Sequence, residues 1–192
     1  MRRSIFACGL LLALAVIPSA VATAAGGKGL IEPTVKHEAR ARAEARSVAY
    51  WSGEARRAQA TTARWLTVVR GRPPRDSFGL RASASAQAVQ KLARVWRRRA
   101  IAASRRAHHP PRLGAWNCIH HYEGSWTDPN APYWGGLQMD YDFQNAYGAW
   151  LLKHEGTANH WTPLQQIWAG VRAWRERGFE PWSSTAHACG VY

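Results

Sequence analysis

Three features of the 192-residue chain predict an all-α fold. Residues 34 to 59 and 84 to 107 are rich in Ala, Arg, Glu and Gln, which form helices readily, and contain no proline. In the C-terminal part Leu164, Ile167, Trp168, Val171 and Trp174 recur at helical spacing. No strand-like alternation of apolar and polar residues competes with them.

The chain opens with Arg2 and Arg3, an apolar run from Ile5 to Ile17, Pro18 and the tail AVATAA, which is the pattern of an export signal over residues 1 to 24. The run is short for a membrane span. Cleavage is expected after Ala24, or after Ala22 by the same small-residue rule, and Cys8 leaves with the signal; an uncleaved anchor is the alternative. The mature protein is then secreted or wall-associated. In that oxidising compartment the remaining pair, Cys118 and Cys189, is expected to form a disulfide across a domain too small to rely on its core alone.

Charge divides the chain. The net +14 splits into +2 for residues 1 to 24, +15 for 25 to 113 and −3 for 114 to 192, and eight of the eleven tryptophans fall in the last segment. The two prolines of HHPPR, residues 108 to 112, forbid a continuous helix there, so a basic helical region, 25 to 112, is separated from a domain at 113 to 192. Two helices are expected in the basic region, broken at GRPPRDSFG. Only 11 of the 74 positions from 34 to 107 are Leu, Ile, Val or Phe, so a loosely packed basic arm is predicted, with Trp51, Trp65 and Trp96 as its packing residues. Its arginine clusters suit anionic wall polymers or an anionic membrane surface; a solvated spacer is the plain alternative. Nucleic acid would fit the charge but is not an expected partner of an exported chain.

The C-terminal segment begins with a helix from about Leu113 to Gly124, in which Trp116, Ile119 and Glu123 share one stripe. A carboxylate on an apolar face loses hydration and holds its proton more readily, as a general acid must. The following GSWTDPNAPYWGG is a loop carrying Trp126, Tyr133 and Trp134, rings on which sugar faces stack, with Gln138 as a polar anchor and Gly135 and Gly136 admitting a ligand close to the backbone. Asp140 is expected to cap a helix running to Tyr147 and ended by Gly148, and Thr162 to Gln165 is a capping box opening a helix stopped by Gly178. Trp116, Trp150, Trp168 and Trp174 are expected to serve packing. The domain is predicted to be three or four short helices around one glutamate-bearing cleft, pinned by Cys118 and Cys189.

Trp116 to Glu123, then YWGGLQM, TPLQQIWAGVRAW and GFEPW before the last cysteine, resemble the transglycosylase-like domain of resuscitation-promoting factors, over residues 114 to 192. The resemblance implies a small lysozyme-like helical domain acting on peptidoglycan glycan strands, with Glu123 as catalytic acid and Gln138 in the substrate cleft. Tyr122 stands where the family usually has a cysteine, and Cys118 lies one helical turn earlier. The loop from Glu123 to Gly135 is also shorter than in the family and holds Thr127 and Asp128.

Glycosidases ordinarily pair two carboxylates, and Asp128, Asp140 and Asp142 are all candidates for the second. Where none acts, the muramic acid 6-hydroxyl attacks the anomeric carbon and leaves an anhydro sugar, the route the resemblance favours over hydrolysis. No cofactor is expected. His120, His121, Glu123, His154 and His160 lack a metal-ligand spacing, so no metal is expected either. A wall-binding module that grips glycan without cutting it is the competing function.

Overall fold

The computed structural model describes residues 31–75 and 84–191; the expected export signal lies outside them. Every regular element among the described residues is helical: α1 (Ile31–Arg70), α2 (Ala86–His108), α3 (Leu113–Glu123), α4 (Tyr141–Glu155), α5 (Pro163–Arg177) and α6 (Ser183–Ala188), with single 3-10 turns at Ala158–His160 and Glu180–Trp182. The fold is all-α. Contacts divide the chain after Glu38, and the packing that follows is that of the second unit, Ala39–Tyr192.

α1 runs past Gln59, where composition suggested it would end, to Arg70. Its last turns are rich in β-branched residues, ordinarily weak in helices. Three of these threonines turn their hydroxyls back onto the helix: Thr61 donates to the Arg57 carbonyl at 3.0 Å, Thr62 to Ala58 at 2.8 Å and Thr67 to Ala63 at 2.8 Å.

α1 and α2 run parallel. The Glu44 carboxylate accepts from the Ala86 amide at 2.8 Å, Arg97 donates to Glu54 at 2.9 Å, and Trp65 meets His108 edge-on with ring centres 4.6 Å apart. Sequence separation stays at 42 to 43 along the pair, which only parallel helices permit. Short connections usually leave helices antiparallel.

A seam of small residues runs between these helices. α2 buries Ala86, Val89, Ala93, Trp96, Ala100, Ala103 and Ala107, alternating steps of three and four. α1 answers with Trp51, Ala55, Ala58, Thr62, Trp65 and Val69 at the same alternation, all buried or half-buried. This is coiled-coil spacing, filled mainly with alanine.

Both helices end on α5. The Trp168 indole N–H donates to the Ala107 carbonyl at 2.9 Å, and Arg172 donates from Nη1 to the Val69 carbonyl at 3.1 Å and from Nε to Tyr147 at 2.6 Å. The last carbonyls of a helix lack partners and carry its negative end, so a cation is well placed there. Burial, and then the charge of Arg175, push the Arg172 pKa down to about 10. Gly71 closes over the guanidinium with φ 72°; a Cβ there would lie 2.9 Å from it, so no other residue fits without displacement. Val68, Val69 and Ala107 consequently belong to the same core as the C-terminal helices. The HHPPR boundary is thus a packed corner, with Pro110 buried and the Pro111 carbonyl accepting from the Trp116 indole at 2.9 Å.

In the C-terminal domain Trp116, Ile119, Leu137, Leu151, Trp168 and Val171 are almost wholly buried, while Trp150 and Trp174 pack against that core from its edge. Asp140 caps α4 through the Phe143 amide at 2.7 Å, and Thr162 and Gln165 form the expected capping box. Gly148 does not end α4, as its sequence position suggested; it kinks it, and the helix resumes to Glu155. The reason is steric: a Cβ on Gly148 would stand 2.4 Å from the Trp161 ring. Gly148→Ala is therefore expected to cost about 1–3 kcal/mol of stability, read as a lowered denaturant midpoint. An unchanged midpoint would mean that Trp161 moves aside freely.

Candidate functional site

Glu123 is the last residue of α3, beyond the buried Trp116 and Ile119 and itself only half-buried. Its Oε1 accepts from the Thr185 hydroxyl of α6 at 2.8 Å, and that hydroxyl also lies 3.2 Å from the Trp182 carbonyl. α6 has six residues, too few to hold helical form alone. The disulfide between Cys118 and Cys189, with Cα atoms 5.9 Å apart, ties its end to the middle of α3. The bridge therefore holds Thr185 against Glu123.

The loop after α3 folds back beside the glutamate. A Cβ on Gly124 would meet the Gln138 amide nitrogen at 3.4 Å and Asp128 Oδ2 at 3.6 Å. Gln138 donates both amide hydrogens inward, to Asp128 at 3.0 Å and to the Gly135 carbonyl at 2.9 Å. Its carbonyl oxygen is what it offers a ligand. Asp128 also accepts from Asn130, so it acts as a loop brace.

Gln138 and Tyr133 line a cavity of about 450 Å³, together with Asp140, Asp142, Phe143, Tyr147, Arg177 and Trp182. Four aromatic rings, two carboxylates and one guanidinium in one cleft suit a hydroxyl-rich ligand with polar substituents. Arg177 is also paired with Glu180, three residues on. Burial, and then the bond it donates to Glu176, raise the Tyr147 phenol above its ordinary pKa. Glu123 stands outside the cavity lining and is joined to it through Thr185 and Trp182.

Two expected sugar-stacking rings lie elsewhere. Trp126 is stacked on His120, ring centres 3.8 Å apart, and Trp134 is half-buried against the core, its backbone paired with Met139. Gly135 and Gly136 do permit close approach, but of the protein's own side chains. A Cβ on Gly136 would stand 2.5 Å from His120 Nδ1 and 2.7 Å from Trp126, and one on Gly135 would stand 2.5 Å from Gln166 Oε1.

Gln166 was not singled out from the sequence, yet it is fully buried and organises this turn. Its Oε1 accepts from the Gly136 amide at 2.8 Å, while its Nε2 reaches the carbonyls of Trp126 and Ala158 at 2.7 and 2.8 Å. Gln144 plays a similar part, bonding the Met139 carbonyl and the Ala158 amide at 2.8 Å each. Two glutamines at apolar helix positions were the available signal. Phe143, Tyr147 and Arg177 lie within the predicted helices and carry no signal of the cavity in the sequence.

Among the described residues no group of three or more His, Cys, Asp or Glu side chains is arranged to hold a metal ion. No helix among them is long and apolar enough to cross a membrane. The chain matches no known family model, no curated protein and no solved structure.

Proposed function

We propose that the chain is an exported peptidoglycan-cleaving enzyme, a lytic transglycosylase or muramidase akin to the lysozyme-like domain of resuscitation-promoting factors. The observation that carries this reading is the hydrogen-bonded line from Glu123 through Thr185 to the Trp182 edge of an aromatic and acidic cavity. Glu123 gives its proton to the glycosidic oxygen as the bond to the anomeric carbon breaks. The carboxylate then takes the proton of the muramic acid 6-hydroxyl as that oxygen bonds the same carbon, forming the anhydro sugar and restoring the acid. Thr185 serves both states: its hydroxyl donates to the carboxylate, or turns to the Trp182 carbonyl and accepts from the protonated acid. If water replaces the hydroxyl, Asp142 in the cavity lining is the candidate second carboxylate, since Asp128 is bound to Gln138 and Asn130 and Asp140 caps α4.

Digestion of purified peptidoglycan, with the products analysed by mass, tests this. Anhydro-ended fragments support transglycosylation and reducing ends hydrolysis. Thr185→Val is expected to lower kcat about tenfold with little change in KM, the weight of one hydrogen bond to a charged group. An unchanged kcat would remove Thr185 from the reaction.

The second reading is a module that binds wall glycan without cutting it, favoured by the position of Glu123 outside the cavity lining. It predicts tight wall binding and no released fragments.

A further inference from the structure

Residues 86 to 112 contain eight Lys and Arg and no Asp or Glu. Within α2, Lys91, Arg94, Arg98 and Arg105 recur at helical spacing, so they share the face turned away from the buried alanine seam. All four are exposed, and Ile101, 56% exposed, fills the step between Arg98 and Arg105. The stripe is about 21 Å long at the helical rise of about 1.5 Å per residue. Because α2 is packed in register on α1 and fastened at its end by Trp168, the stripe is presented as a stiff rod.

We infer that this face binds a linear phosphodiester polymer of the cell wall, of the polyol phosphate class, laid along α2. The inference rests on the wall-acting reading for its compartment, and on charge and geometry for the rest. Arginine predominates in the stripe, and its planar fork grips phosphate oxygens in pairs. A bilayer surface is the poorer fit: an interfacial helix buries an apolar face in lipid, and the apolar face of α2 is already used against α1. Single-stranded nucleic acid is also a poorer fit, because its binders set exposed aromatic platforms among the cations. Here the stripe carries no aromatic residue, Trp51 and Trp96 pack between the helices, and Trp65 packs against the C-terminal core. A polymer with phosphates but no bases asks only for cations repeated along one line.

The test is binding of poly(glycerol phosphate) to the full chain and to the variant K91Q/R94Q/R98Q/R105Q, followed by calorimetry. Four phosphate contacts predict an affinity that falls roughly 50-fold between about 50 and 200 mM salt, and a variant weaker by tenfold or more at the lower salt. The substitutions lie on an exposed helix face, and an unchanged circular dichroism spectrum and melting point confirm folding. Equal binding by the variant overturns the proposal, as does tighter binding of dextran sulfate, a single-stranded oligonucleotide or phosphatidylglycerol vesicles than of the polymer. Glu123→Gln is expected to bind the polymer normally. Polymer binding without wall cleavage would thus sink the enzyme reading and leave this one standing.

Discussion

Glu123→Gln is expected to lower muropeptide release by about 10²–10⁴-fold while leaving the melting temperature unchanged, because proton transfer by a placed side chain is worth that much. Glutamine has the same shape, and its carbonyl oxygen still accepts the Thr185 hydroxyl now 2.8 Å from Glu123 Oε1. What it lacks is the proton to give. Wall binding should persist in the variant, since Tyr133, Gln138, Phe143, Tyr147 and Trp182, which line the cavity, are untouched. Full activity in the variant would transfer the acid role to Asp140 or Asp142. Inactivity of both proteins with equal wall binding would make the chain a binding module.

Replacing both bridge cysteines, Cys118→Ser with Cys189→Ser, is expected to cost about 4 kcal/mol, the chain entropy released when a loop of this length is opened. The bridge spans a sequence separation of 71. For a protein of this size the melting point should fall by roughly 8–16 °C. Activity should fall further than stability alone requires. α6 is six residues long, and without its tether Thr185 no longer stays against Glu123. The wild type treated with a reductant should follow the variant. A melting point indifferent to reduction would mean that the helices, not the bridge, carry the domain.

Much of the local structure was legible from residue chemistry. Asp140, Thr162 with Gln165, and Gly178 marked helix ends because capping is settled within four residues of chain. The pairing of Cys118 with Cys189 matches the expectation drawn from the two cysteines left once Cys8 is assigned to an export signal. Gly148 misled because glycine is ambiguous between a stop and a close approach, and the ring that decides the matter, Trp161, is thirteen positions away. Trp126, Tyr133 and Trp134 looked alike in one loop, yet only Tyr133 reaches the cavity.

The all-helical class, the charge asymmetry, the caps and the disulfide were readable from the residues alone, because they arise from short-range preferences or from composition. Packing between distant segments sets α1 parallel to α2 on an alanine seam, brings Arg172 and Trp168 to their C-termini, and stands Thr185 against Glu123. Those contacts join residues 42 to 103 positions apart. Alanine, arginine and threonine are compatible with many surroundings, so their roles become definite only when packing brings a particular partner within reach.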